Sequence, residues 1–150
     1  MSQLSLHTPV GDLTVSEDDG AIVSVDWGWS AWQNETPLLC AARRQLHHYF
    51  DGELEQFDLP LRPHGTPFRS RVWTLMSQIP YGHTMTYGEM ADALGSAPRA
   101  IGGACGANPI PILIPCHRVL ASNGGLGGYS GDGGAETKRV LLRLERAIAP

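Results

Sequence analysis

The sequence predicts an α+β protein in two lobes, a small antiparallel sheet with one helix followed by a mainly helical lobe. Three observations carry this. Apolar and polar residues alternate with period two through residues 4–27, helical spacing takes over from Thr36, and acidic charge is concentrated in the first part of the chain.

Leu4-Ser5-Leu6-His7, Leu13-Thr14-Val15-Ser16 and Ala21-Ile22-Val23-Ser24-Val25-Asp26-Trp27 read as strands. Val10-Gly11-Asp12 and Asp18-Asp19-Gly20 read as the tight turns that join them into a three-stranded meander. From Thr36 to Phe50 the residues Leu38, Leu39, Ala42, Leu46 and Phe50 recur at helical spacing until Asp51-Gly52 stops the pattern. This helix is expected to pack on the sheet. The polar, proline-rich stretch from Leu59 to Pro67 reads as a linker, giving lobes at residues 1–61 and 62–150.

In the second lobe Thr66 can cap a helix that has Pro67 at its first position, runs to about Gln78, and buries Val72, Trp73 and Met76. Thr86 can cap a helix from Tyr87 to about Leu94. Gly95-Ser96-Ala97-Pro98 separates it from another spanning about Arg99 to Gly106, and the pair is a helix-turn-helix candidate. Ala100, Gly102, Gly103, Ala104 and Gly106 leave this second helix very slim. Its small residues fit two readings equally, close helix packing in the core or close approach of a nucleic-acid backbone. Residues 121–134 are glycine-rich, yet they carry Leu126, Tyr129 and Ser130, which suits a binding loop. Ala135 to Ala147 closes the chain as an amphipathic helix with Val140, Leu141 and Leu144 inward.

With 42% apolar and 17% charged residues the 150-residue chain has the composition of a soluble globular protein. No run is long enough to span a bilayer, and Met1-Ser2-Gln3-Leu4 lacks the order of a secretory signal, so the cytoplasm is expected. Three cysteines, Cys40, Cys105 and Cys116, have unrelated spacing and read as free thiols rather than a disulfide or metal framework. Cys40, His47 and His48 on one short helix read as surface and core, and no metal site is expected. The net charge of −4 disfavours a nucleic-acid partner, but its distribution reverses that. Residues 1–61 hold 2 Arg against 10 acids, whereas residues 62–150 hold 9 Lys or Arg against 5 acids.

The sharpest motif is Pro111-Ile112-Leu113-Ile114-Pro115-Cys116-His117-Arg118-Val119-Leu120. Its apolar run is expected to be buried and its two prolines to be rigid, which sets Cys116 at a fixed point where the chain turns. Taken alone, such a cysteine reads first as a small buried hydrophobe, and its neighbours must argue for chemistry. As a nucleophile it needs a base, and His117 has the suitable pKa. Neighbours on a strand point to opposite faces, so direct contact would need a turn after Pro115 or a bridging water.

The run Asn108-Pro109-Ile110-Pro111-Ile112-Leu113-Ile114-Pro115-Cys116-His117-Arg118-Val119 resembles the active-site signature of O6-alkylguanine-DNA alkyltransferases. Thr86-Tyr87-Gly88, Arg99-Ala100-Ile101-Gly102 and Gly128-Tyr129-Ser130-Gly131 extend the resemblance over residues 62–147. It implies a ribonuclease-H-like first lobe, a winged-helix type of helix-turn-helix, and cofactor-free, irreversible transfer of an alkyl group from guanine to Cys116. His117 would then be the base acting through water, Glu145 the acid that orients it, and Asn108 the residue that ties the cysteine turn together. The flipped base would meet Tyr87, Pro111, Tyr129, Ser130 and the carbonyls of Cys116 and Val119. Arg99, Ala100, Gly102, Gly103 and Arg118 would contact double-stranded DNA from the minor groove, the protein acting as a monomer. The turn before Arg99 is shorter than usual for the family, Cys105 stands where larger residues are usual, and the zinc ligands of some relatives have no counterpart. Two alternatives remain, an alkyltransferase-like protein that binds damage without transfer, and a helix-turn-helix regulator with a structural cysteine.

Overall fold

The computed structural model describes residues 1–126 and 134–149, which form two compact units, Met1–His64 and Gly65–Pro150. In the first unit strands β1 (Ser2–Thr8), β2 (Gly11–Asp18) and β3 (Ala21–Trp27) form an antiparallel sheet in sequence order. Leu4 faces Val15 and Val15 faces Val25 across the ladders, so one face is continuously apolar. Helix α1 (Pro37–Phe50) lies against the sheet with Leu39, Ala42, Leu46 and Tyr49 fully buried. The hydroxyl of Thr36 caps it by accepting from the Leu39 amide at 3.1 Å.

Two features of this unit escaped the sequence. Ser5 and Thr14 are buried on the other face, where their hydroxyls bond at 2.8 Å, because the segment after β3 folds back over them through Ser30 and Gln33. Residues 60–62, expected to be linker, instead run parallel to β3, with the Ile22 amide donating to Pro60 O and the Arg62 amide to Ile22 O, both at 2.8 Å.

In the second unit α2 (Pro67–Ser77) is capped by the Thr66 hydroxyl and buries Val72, Trp73 and Met76. Strand β4 (Met85–Thr86) leads directly into α3 (Tyr87–Leu94), where Thr86 and Glu89 form a reciprocal capping box and Gly95, at φ 63°, closes the helix in the left-handed conformation. Helix α4 (Pro98–Gly106) follows with no side-chain cap, and α3 and α4 pack together as the helix-turn-helix candidate. A 3-10 turn (Cys116–Arg118), strand β5 (Val119–Leu120) and α5 (Ala135–Leu144) complete the unit. β5 pairs in parallel with β4, Met85 opposite Val119 and Thr86 opposite Leu120.

The inward face of α5 differs from the apolar stripe expected. Thr137, Lys138, Leu141 and Leu142 are buried, whereas Val140 and Leu144 are half-buried, and the helix stops one residue before Glu145. Two charged residues, Lys138 and Glu145, stand seven positions apart on that buried face, because each finds a partner inside the unit.

Candidate active site

The apolar run before Cys116 forms a tight turn rather than an extended segment. The Ile114 amide donates to Ile110 O at 2.9 Å, Pro111 pairs with Ile114, and Ile112 sits at φ 73°. Left-handed backbone is strained for a β-branched residue, so something must hold it. Burial supplies one restraint, with Ile110, Ile112, Leu113 and Ile114 all inside. Asn108 supplies the other. Its Nδ2 donates to Ile114 O at 2.9 Å and its Oδ1 accepts from the Ile110 amide at 3.0 Å, fastening both ends of the turn.

After Pro115 the chain enters the 3-10 turn, with the Arg118 amide donating to Pro115 O at 3.0 Å. The turn after Pro115 is therefore present, and Cys116 and His117 lie on it rather than on a strand. Cys116 is 4% exposed and His117 wholly buried. Glu145, just past the end of α5, reaches His117, with its Oε2 2.7 Å from His117 Nε2. An ionised carboxylate only accepts hydrogen bonds, so this contact puts the imidazole hydrogen on Nε2 and leaves Nδ1 with its lone pair. Among the described residues Nδ1 is the one buried side-chain nitrogen or oxygen with no hydrogen-bond partner. Burial pushes the His117 pKa below its usual value despite the pull of Glu145, so the imidazole is favoured in the neutral form of a base.

Arg118 departs from the DNA-contact role expected of it. It is 7% exposed, with Nε and Nη2 donating to Oε1 and Oε2 of Glu145 at 2.8 and 3.0 Å and Nη1 donating to Ile79 O at 2.7 Å. Its planar fork matches a carboxylate inside the unit instead of a phosphate outside it.

Lys138, which the sequence reading did not single out, is fully buried, and its Nζ donates to Val119 O at 2.6 Å. That ammonium also lies 5.8 Å from the centre of the Tyr87 ring. Desolvation lowers the Lys138 pKa, against which only an ionised Cys116 or Cys105 would act. Tyr87 and Cys105 are each pushed up to about 12, mainly by burial, with Cys116 reinforcing both. Tyr87 thus remains a hydrogen-bond donor at neutral pH, and Cys105, only 8% exposed, remains a thiol. The signal for Lys138 was its position, three residues before Leu141 and seven before Glu145.

Of the other expected residues, Pro111 and Val119 are buried, and Arg99, Ala100 and Gly103 are exposed along α4 with Gly102 half-exposed. A Cβ added at Gly102, Gly103 or Gly106 would meet no described atom within 4 Å. These three glycines therefore do not serve close packing against the described atoms of the unit, whereas Ala104 does pack inward. They leave a bare outer surface, while Ile101, Ala104 and Cys105 face inward and Trp73 Nε1 donates to Ala104 O at 2.8 Å. Tyr129 and Ser130 lie outside the described residues.

Comparison with known proteins agrees with this architecture. Residues 3–63 match the family model described as "6-O-methylguanine DNA methyltransferase, ribonuclease-like domain", and residues 67–147 match "6-O-methylguanine DNA methyltransferase, DNA binding domain". The chain is 41% identical to the constitutive methylated-DNA--protein-cysteine methyltransferase of Bacillus subtilis, over 93% of this chain and 92% of that protein. It is 40% identical to the Methanosarcina acetivorans protein of the same name, without the word constitutive, over 93% and 94% of the two chains. Among solved structures, Mycobacterium tuberculosis OGT in complex with DNA superposes with a TM-score of 0.88 at 40% identity, over 100% of this chain and 96% of that one. On both the sequence and the fold, this chain belongs to the 6-O-methylguanine DNA methyltransferase family.

Proposed function

We propose that this protein repairs DNA by transferring an alkyl group from the O6 atom of guanine to Cys116, once per molecule. The observation that carries this reading is His117, buried beside the cysteine, with Nε2 held by Glu145 and Nδ1 left without a protein partner among the described residues. A neutral imidazole in that state accepts the thiol proton, directly or through water. The sulfur then forms a bond to the alkyl carbon as the bond from that carbon to O6 breaks. Guanine leaves with the electron pair and takes up a proton. Water does not cleave the resulting thioether, so the protein is consumed.

The other groups take roles around this step. Asn108 holds the cysteine turn, Tyr87 supplies a donor to the base, and Lys138 orients the Val119 carbonyl. Val119 O and Cys116 O, which accepts from the Val119 amide, are carbonyls able to accept from the exocyclic amine of guanine. A guanine in a duplex must be flipped out to reach Cys116. The bare face of α4 suits entry into a minor groove, with Arg99 exposed at its first turn. Cys40, Cys105 and Cys116 are not joined in disulfides, which fits a cytoplasmic setting, and no helix among the described residues is long and apolar enough to cross a membrane.

The test is the mass of the intact protein after incubation with duplex DNA carrying O6-methylguanine. One added methyl, mapped to Cys116 by peptide sequencing and absent in Cys116→Ser, is expected. Tight binding of that DNA with Cys116 unmodified would replace this reading with damage binding alone.

A further inference from the structure

We propose that Arg118 is a positioning residue for the transfer, occupying both oxygens of Glu145 so that His117 stays neutral and its Nδ1 stays free to take the thiol proton. The proposal rests on the alkyl-transfer reading and assigns it a component beside the cysteine that ordinary expectation sends to the DNA.

The geometry leaves Arg118 no outward role. Its three nitrogens donate to Glu145 Oε1, Glu145 Oε2 and Ile79 O within 3.0 Å, and its guanidinium carbon stands 5.9 Å from the centre of the Tyr81 ring. Glu145 is 1% exposed, so its charge requires internal compensation. Among its partners in the described residues, two groups can supply it, the imidazole by becoming imidazolium or the guanidinium by being there already. A buried carboxylate with only His117 beside it would favour the first, and a protonated imidazole cannot accept a proton from Cys116. The guanidinium does not give up its proton at any working pH, so it compensates the carboxylate without entering the proton chemistry.

The groups that face His117 act in the sense this requires. Glu145, beyond the end of α5, raises its pKa, while Arg118 from its own turn and Lys138 from α5 lower it, on top of full burial. Glu145 Oε2 is shared by His117 Nε2 at 2.7 Å and Arg118 Nη2 at 3.0 Å, so one oxygen fixes the imidazole tautomer while the fork holds the carboxylate in the plane that reaches it. Once His117 has taken the proton, the same guanidinium disfavours the imidazolium, which promotes release of the proton toward the departing guanine.

Arg118→Gln and Arg118→Lys in the full chain test this. In unreacted protein, 15N NMR of the His117 ring should show an upward shift of its titration midpoint by about one pH unit or more in Arg118→Gln, the size expected for loss of a neighbouring charge. Arg118→Lys, which keeps a cation, should stay near the wild type. The acid limb of the pH profile for Cys116 alkylation should move up with the imidazole midpoint, about tenfold in rate per unit at pH values below it, and the two rates should converge at high pH. A midpoint unchanged in Arg118→Gln, with a rate reduced equally at every pH, would show that Arg118 only supports the fold. Loss of DNA affinity with unchanged reaction toward free O6-benzylguanine would make it a DNA contact and overturn the proposal equally. Should Arg118→Gln not fold, the wild type decides, because a mostly protonated His117 at pH 6.5 contradicts the proposal and a mostly neutral one supports it. Failure of wild-type protein to accept any alkyl group would remove the transfer reading, while the ring titration would still settle what Arg118 does to His117.

Discussion

Replacing Glu145 by glutamine keeps the shape of the side chain and removes its charge, and the structure shows why no orientation of the amide can satisfy both neighbours. Oε1 accepts from Arg118 Nε, and Oε2 is shared by Arg118 Nη2 and His117 Nε2. With the amide oxygen at Oε2, the amide nitrogen opposes Arg118 Nε, donor against donor, inside the protein. With the oxygen at Oε1, the nitrogen faces His117 Nε2 and drives the imidazole hydrogen to Nδ1, which abolishes the lone pair needed for the base. Either orientation leaves a guanidinium that is 7% exposed without its counter-charge, and breaking a buried pair in this way costs about 3–5 kcal/mol. The second removes general-base catalysis, worth about 100- to 10,000-fold in rate. Single-turnover transfer at saturating alkylated duplex, read as protein mass against time, should therefore slow at least 100-fold. Affinity for the same duplex, read by fluorescence anisotropy with Cys116 blocked by substitution, should change far less. Equal losses in rate and affinity would mean that Glu145 only maintains the fold, and an unchanged rate would refute the orienting role altogether.

Asn108→Ala deletes the donor to Ile114 O and the acceptor for the Ile110 amide, both buried, so urea denaturation should show a loss of about 2–4 kcal/mol. Gly103→Ala places a methyl in open space on an exposed helical position and should raise stability by about 0.5–1 kcal/mol, whereas Gly103→Trp should fold normally and bind duplex DNA poorly in a gel-shift assay. The depressed His117 pKa means that the folded protein binds a proton less readily than the unfolded chain. The stability it contributes is complete above pH 6.5, the unfolded value, and is lost as pH falls through the folded value. Urea midpoints should decline as pH is lowered below 6.5, and less steeply in His117→Gln.

Local signals were legible in the sequence and long-range compensation was not. Thr36, Thr66 and Thr86 mark the starts of α1, α2 and α3 because a cap is read from neighbouring residues, and each hydroxyl makes its cap bond. His117 and Glu145, far apart in the chain, meet at 2.7 Å beside the turn that carries Cys116. The periodicity of α5 instead pointed to Val140 and Leu144, because it scores Lys138 and Glu145 as solvent-facing. The partners that bury them, Val119 O, His117 and Arg118, lie 19 to 28 residues away. Arg118 misled for the same reason, since a lone arginine beside a reactive cysteine is exposed by default. Ile112 is the hardest case, because its φ of 73° is opposed by its own side chain and is held by burial, by the Ile114 to Ile110 bond and by Asn108.

The bare outer face of α4 has a cost to the helix that carries it. Three of its nine residues are glycine, its first turn has no side-chain cap, and its outer side makes few contacts of its own. Helicity there depends on the inward anchors Ile101, Ala104 and Cys105 and on the Trp73 indole that holds Ala104 O. In amide hydrogen exchange α4 should open before α2, well below the free energy of global unfolding. Contact with a duplex would supply the missing outer partner, so the slowing of exchange in this one helix would report DNA engagement residue by residue, before any alkyl group has moved.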